Sequence, residues 1–220
     1  MTCCSQYRAA EKQFDRKLAE SDLRQYQRRG ATGITKLLLS ELRRWPLQGA
    51  GILDVGSGIG VISMELAGDG VSSATVVEAS SAYLEVARRE VASRYGSRRT
   101  QFILGDFAVI APDLADADVV TLDRVVCCYP DAEALLRGVA ARARRLVAFT
   151  YPHDRWYMRA LTAFNNLKRR LKGNTFQTFV HPPRTMAAVL EAAGFVRIAR
   201  KGTVMWLLDI YRKEGASAPI

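Results

Sequence analysis

The stretch Gly51-Ile52-Leu53-Asp54-Val55-Gly56-Ser57-Gly58-Ile59-Gly60 decides the fold of this 220-residue chain. A short apolar run ends in an acid, turns through three glycines at alternate positions and leads into residues 61–67, which read as a helix. The glycines permit a tight turn and close approach of the backbone to another group, and the helix start offers unpaired amide donors.

Outward from that unit the chain alternates. Residues 74–78 read as a second strand, 81–93 as a helix, 101–104 as a strand, 118–122 as a strand, 132–143 as a helix and 145–149 as a strand. Short strands separated by helices imply a parallel sheet with helices on both faces, and strands apolar almost without alternation are those covered on both sides. The expectation is an α/β, doubly wound, mostly parallel sheet. Before it, residues 5–29 carry Phe14, Leu18, Leu23 and Tyr26 at helical spacing and stop at Gly30, and Ile34, Leu37, Leu38 and Leu42 make a second helix ending before Pro46. After it, residues 154–171 read as a long cationic helix, followed by Phe176 to Val180, the turn His181-Pro182-Pro183 and a helix over 185–193 that closes at Gly194. Residues 195–200 and 204–211 read as a final antiparallel strand pair at one sheet edge. One domain is expected: a helical arm (1–46), a core (50–150), a helical insertion covering the site (151–182) and the closing part of the sheet (183–213).

Composition narrows the setting. The longest apolar runs fall short of the roughly 18 residues of a membrane-spanning helix, and the N-terminus lacks the apolar core of a secretory signal. A cytoplasmic protein is expected, with its four cysteines, the adjacent pairs Cys3-Cys4 and Cys127-Cys128, as reduced thiols. Thirty-two Lys and Arg against 22 Asp and Glu give a net charge of +10, which suits RNA, an anionic membrane surface or an acidic small molecule, and equally a basic solvated surface.

A glycine turn of this kind serves dinucleotides as well as other nucleosides, because phosphate also sits at helix N-termini. Glu78, ending the second strand, is placed to accept ribose hydroxyls, which both cofactor classes need. Asp54 separates them: a carboxylate at the entrance of the turn repels a pyrophosphate and favours an ammonium group, directly or through water. A zwitterionic, sulfonium-bearing ligand follows.

Leu53-Asp54-Val55-Gly56-Ser57-Gly58-Ile59-Gly60, with Glu78 and then Gly105-Asp106-Phe107, resembles class I S-adenosylmethionine-dependent methyltransferases over about residues 50 to 150 and into the closing strands. The resemblance implies S-adenosyl-L-methionine as cofactor, held by Asp54, Gly56, Ser57, Gly58, Gly60, Glu78, Asp106, Phe107 and Asp123, with Asp106 at the adenine amino group. More narrowly, Gln13-Phe14-Asp15-Arg16, the loop ending Tyr129-Pro130 and the cationic helix resemble magnesium-protoporphyrin O-methyltransferases. That family commonly has a tyrosine before the phenylalanine of the arm and a histidine before the Tyr-Pro. This chain has Gln13 and Cys128 there, so the resemblance does not carry porphyrin methylation with it.

The acceptor is expected beyond the carboxyl end of the fourth strand, against the loop Leu122-Asp123-Arg124-Val125-Val126-Cys127-Cys128-Tyr129-Pro130, with the arm and the insertion as lids. Methyl transfer needs alignment and, for a protonated nucleophile, a base. Tyr129, His153 and Asp123 are the candidates, His181 being the second of two histidines. No metal site is expected, although an arm folded over the loop would bring Cys3-Cys4 to Cys127-Cys128 as a soft pocket for a metalloid. On the cationic helix, Ala160, Phe164, Leu167 and Leu171 lie opposite Arg155, Arg159, Lys168, Arg169, Arg170 and Lys172. Core packing explains such a face, and so does an anionic lipid surface.

The leading function is therefore methyl transfer to a small-molecule acceptor, on oxygen. An RNA methyltransferase shares the charge but not the Asn-Pro-Pro-Tyr type of acceptor loop, a metalloid methyltransferase would use the thiols, and a nicotinamide-dependent reductase would need a Tyr-x-x-x-Lys pair.

Overall fold

A computed structural model describes residues 3–95 and 99–216, with side chains from Gln6 onward. Seven strands form one sheet in the order β3-β2-β1-β4-β5-β7-β6. They are β1 (Gly51–Val55), β2 (Ser73–Glu78), β3 (Thr100–Leu104), β4 (Ala117–Leu122), β5 (Ala143–Pro152), β6 (Phe195–Gly202) and β7 (Trp206–Lys213). β1 to β5 run parallel, with Leu53 in register with Thr75 of β2 and Val120 of β4. β7 is antiparallel to both β5 and β6. The doubly wound, mostly parallel α/β architecture is thus as expected, with the closing pair arranged so that β7 lies inside and β6 forms the edge.

Helices cover both faces because the central strands are apolar on both. On one side α3 (Gly33–Leu42), α4 (Val61–Ala67) and α5 (Ser81–Tyr95) bury Leu38, Leu66 and Ala87 against Ile52, Val76 and Ala148. On the other α6 (Phe107–Ile110), α7 (Ala132–Arg142) and α9 (Pro183–Ala192) bury Phe107, Leu136 and Leu190 against Leu53, Val120 and Phe149. Aspartates start several of these helices: Asp106 accepts from the Ala108 amide and Asp131 from the Ala134 amide, at 3.1 and 2.8 Å. Each such cap contributes about 0.5–2 kcal/mol.

The arm is two helices, α1 (Cys3–Gln13) and α2 (Arg16–Arg29), where the periodicity had suggested one. Asp15 breaks it by leaving helical geometry and accepting the Leu18 amide at 2.8 Å, an N-cap that outweighs the continuity of the apolar stripe. Phe14, at the break, packs edge-on against Tyr83 and Phe176. The insertion contributes α8 (Trp156–Leu171), of which only Met158 is buried. Its apolar stripe does not pack into the core. Among the described residues, no helix is long and apolar enough to cross a membrane.

Candidate active site

Strand order reverses between β1 and β4, and the carboxyl ends of the strands flanking that point open into a cavity of about 760 Å³. Its floor is the glycine turn. Gly56 (φ 60°), Gly58 (φ 57°) and Gly60 (φ 85°) all occupy left-handed backbone, and a Cβ on Gly56 would lie 2.4 Å from Val125 Cγ2. The turn is stitched to β2: the Gly56 amide donates to the Val77 carbonyl at 2.8 Å, and the Gly58 amide to Glu78 Oε2 at 2.8 Å.

Glu78 is buried and also accepts the Ala79 and Ser80 amides on Oε1, at 2.8 and 3.0 Å. A carboxylate offers about four lone-pair positions. Three carry backbone amides, and Oε2 keeps one on a residue that lines the cavity. Burial pushes its carboxyl up to about 7, against the lowering pull of those amides. Asp54 sits at the other side of the turn, fully buried, accepting from Thr121 Oγ1 at 2.8 Å and Ser63 Oγ at 3.0 Å. Burial pushes it up to about 6, and the nearby Asp123 adds to the rise.

Asp106 and Phe107, at the end of β3, and Asp123, at the end of β4, complete the cluster expected from the sequence; all line the cavity. Asp123 accepts from Thr35 Oγ1 at 2.5 Å and Thr150 Oγ1 at 2.7 Å, which ties α3 and β5 to the acceptor loop. Arg124 beside it is, among the described residues, the one non-glycine with left-handed backbone (φ 60°). Its amide is held by Thr150 Oγ1 at 2.7 Å, so the strained turn is fixed by the same threonine.

The two histidines are used elsewhere. His153 does not line the cavity; its Nε2 is 2.9 Å from the Thr203 carbonyl and its amide donates to the Met205 carbonyl at 3.0 Å. Its ring is bound instead to the β6–β7 loop, whose residues Thr203 and Met205 line the cavity. His181 lies outside the lining too, 2.9 Å through Nε2 from the Tyr129 carbonyl, with burial lowering its pKa. Its ring N–H donates to that carbonyl and positions the loop. Tyr129 itself lines the cavity with Cys128 and Pro130.

Cys127 and Cys128 lie 4.0 Å apart through sulfur, and the Cys127 contact and burial hold the Cys128 thiol well above its ordinary value. Both thiols also face the Arg124 carbonyl. A pair of thiols turned to a backbone carbonyl is a poor soft-metal pocket, and no cluster of metal-ligating side chains occurs among the described residues. The side chains of Cys3 and Cys4 lie outside the described residues.

Several lining residues were not foreseen. Tyr7 and Ala10 line the cavity from α1, Phe14 from the break that follows it, and Asp22 and Tyr26 from α2. Their i, i+3, i+7 spacing was the available signal, since it marks one helical face. Gln6 closes the arm down: its Nε2 donates to the carbonyls of Cys128 at 2.9 Å and Gln177 at 2.6 Å. Phe176 and the loop from Thr203 to Trp206 also line the cavity, and no local pattern announces either.

The charge of the lining is opposite to that of the chain. Asp22, Asp54, Glu78, Asp106 and Asp123 line the cavity, and Arg124 is the single cation among its described lining residues. A chain of net charge +10 has built an anionic pocket.

Residues 52–147 match the family model described as "methyltransferase domain". No curated protein matches the chain in sequence. Among solved structures it is similar to magnesium protoporphyrin IX methyltransferase of Synechocystis PCC 6803 with bound S-adenosylhomocysteine, at 16% identity and TM-score 0.65 over 88% of this chain and 95% of that one. It is similar also to an O-methyltransferase family protein of Burkholderia thailandensis, at 14% identity and TM-score 0.70 over 92% of this chain and 60% of that one. The [4+2]-cyclase SpnF shares the fold as well, at 15% identity and TM-score 0.60 over 81% of this chain and 80% of that one. Identities this low establish architecture rather than substrate. Residues 52–147 therefore match a methyltransferase domain, and the chain has the class I S-adenosylmethionine-dependent methyltransferase fold.

Proposed function

We propose that the cavity binds S-adenosylmethionine and that the chain transfers its methyl group to a small-molecule acceptor, on oxygen. The observation that carries this is the five acids against one cation around the glycine turn. S-adenosylmethionine is cationic at neutral pH, whereas a nicotinamide dinucleotide would bring a pyrophosphate into a field of like charge, at a cost of several kcal/mol. The same field disfavours an acidic acceptor.

In this reading Gly56, Ser57, Gly58 and Gly60 give the cofactor close approach to the backbone, Glu78 accepts from the ribose and Asp106 with Phe107 holds the adenine. Asp54 and Asp123, on the far side of the turn, set a negative potential for the ammonium group. Bound there, the cofactor supplies a methyl group activated by its sulfonium. The protein's own contribution is alignment, exclusion of water and, for a hydroxyl acceptor, removal of a proton. Tyr129, which lines the cavity on the loop after β4, is the side chain we assign to orient or deprotonate the acceptor. The division into arm, core, covering segment and closing strands belongs to the same proposal: α1 and Phe176 form the roof, and the loop after β4 faces them.

Thermal unfolding with added ligand tests the cofactor. At about 100 times its Kd, S-adenosylhomocysteine adds roughly 2.7 kcal/mol, a rise of about 5–10 °C for a chain of this size. NAD leaves the midpoint unchanged. A rise with NAD and none with S-adenosylhomocysteine overturns the proposal. Comparing methylated metabolites in cells with and without the protein then identifies the acceptor.

A further inference from the structure

An ordinary surface helix buries its apolar stripe and turns its charges to water. α8 leaves its apolar stripe exposed as well. Trp156, Ala160, Phe164, Leu167 and Leu171 recur at intervals of three and four residues and so share one face, and that face points to solvent: Trp156 is 81% exposed, Phe164 63%, Leu167 55% and Leu171 79%. What the helix turns inward is largely polar. Asn166 Nδ2 donates to the Thr178 carbonyl at 2.8 Å, and Arg169 donates to Asn166 Oδ1 at 3.0 Å while its guanidinium covers the Phe176 ring at 5.6 Å.

The stripe continues past the helix. The Tyr157 hydroxyl donates to the Val204 carbonyl at 3.1 Å, and the His153 amide to the Met205 carbonyl at 3.0 Å, so the β6–β7 loop is bound to the start of α8. In that loop Val204 is 82% exposed and Met205 42%. Both also line the cavity. One apolar surface thus runs along roughly 24 Å of helix and ends at the mouth of the site. Cations flank it. Arg155, Lys168, Arg170 and Lys172 are exposed, Arg159 is exposed but paired with Asp154 at 2.7 Å, and the sequence from Trp156 to Asn174 contains no acid.

We propose that this face docks on an anionic phospholipid bilayer, with α8 lying in the headgroup plane, its apolar stripe among the upper acyl chains and the mouth of the cavity set against the lipid. Charge complementarity selects that occupant. An exposed apolar stripe bordered by arginine and lysine, without an intervening acid, matches a surface that is hydrocarbon below and phosphate above. A protein partner would need acids placed to meet each cation, and RNA offers phosphates but nothing to cover Trp156, Phe164 and Leu171 together. Docking does not require the cofactor assignment.

The full chain is mixed with sedimentable vesicles of phosphatidylcholine, with and without about one third phosphatidylglycerol. Expected are binding to the anionic vesicles that weakens with added salt, at least about tenfold weaker binding to neutral ones, and quenching of Trp156 by brominated acyl chains that is lost in Trp156→Phe. Phe164→Ser with Leu171→Ser lowers affinity at least about tenfold, from the loss of two inserted side chains. Lys168→Glu with Lys172→Glu does so on anionic vesicles alone, by roughly fivefold for each charge. All four positions are exposed, so circular dichroism and the melting midpoint stay unchanged and misfolding cannot stand in for lost docking. Equal binding to neutral and anionic vesicles overturns the proposal. So does binding untouched by either double variant, or a concentration-dependent dimer that Phe164→Ser with Leu171→Ser abolishes while vesicles remain unbound.

Discussion

Glu78 links proton to ligand. Its carboxyl, pushed up to about 7 by burial, is substantially protonated in the empty cavity near neutral pH. A hydroxyl donating to Oε2 favours the carboxylate, so ligand binding lowers the pKa and expels a proton. Affinity for S-adenosylhomocysteine is then flat above about pH 7 and falls by up to about tenfold for each unit below it. Asp54, pushed up to about 6, adds a second bend below that if the ammonium group lies near it. The sign for stability is opposite. Both carboxyls titrate above their ordinary values, 4.5 for Glu78 and 3.8 for Asp54, so the folded chain holds more protons than the unfolded one between those values and about 7. The unliganded protein loses the corresponding stability as pH rises through that window, and the stabilisation given by ligand grows over the same range.

Glu78→Gln removes the charge but keeps the shape. One charged hydrogen bond to the ligand is worth about 1.5–3 kcal/mol, so affinity at about pH 8 drops roughly 10- to 150-fold. The amide NH2 must also face either the Gly58 amide or those of Ala79 and Ser80, donor against donor, which loosens the glycine turn. Titration calorimetry at about pH 6, 7 and 8, in two buffers of different ionisation enthalpy, reads affinity and proton release together. Wild-type affinity that is constant over that range with no proton released, or a Glu78→Gln affinity within about threefold of wild type, refutes the assignment of Glu78 to the ligand.

Three further outcomes test the frame around the site. Gly56→Ala adds a Cβ 2.4 Å from Val125 Cγ2 at φ 60° and is expected to lower stability by about 2–4 kcal/mol in urea unfolding, with Val125→Ala beside it costing less than the sum of the two single changes. Arg200→Met strips buried Asp209 of two guanidinium hydrogen bonds, at 2.7 and 2.6 Å, and should cost about 3–5 kcal/mol by the same measurement, a loss that added Asp209→Asn partly restores. Gln6→Ala leaves the carbonyls of Cys128 and Gln177 without their donor and should cost about 1–3 kcal/mol. Hydrogen exchange then shows faster opening of α1 with little change in β1 or β4.

The strands were readable because β1, β2, β4 and β5 are covered on both faces, which leaves a continuous apolar run in the sequence. The glycine turn was readable for a local reason as well, since left-handed backbone selects glycine wherever it occurs. What could not be read depends on partners far along the chain. The break before α2 turns on one aspartate that suits an N-cap as well as a surface position. The loop from Thr203 to Trp206 reaches the cavity only because β7 inserts between β5 and β6, an ordering that nothing in residues 195–213 specifies. For α8 the periodicity located the apolar stripe correctly but could not give its direction. Spacing says that Phe164, Leu167 and Leu171 share a face; only Asn166 and Arg169, committed to Thr178, determine that this face looks outward.

The same limit applies to charge. A net +10 invites a search for anionic ligands, yet five acids line the cavity, while exposed cations lie along both α2 and α8 on the outer surface. Net charge is a sum over the surface, while a ligand experiences the few groups within roughly a Debye length, about 8 Å at physiological salt. The two populations can therefore serve separate ends, the interior acids attracting a cationic nucleoside and the outer cations a phosphate-bearing surface. An enzyme acting on RNA would be expected to carry its cations around the mouth of the site, where the backbone of the substrate must run. Val204 and Met205 are exposed and line the cavity, so under the proposed function an acceptor entering past them would meet hydrocarbon first and acid afterwards. A neutral or weakly cationic molecule with an apolar body satisfies both in that order, and a polyanion satisfies neither.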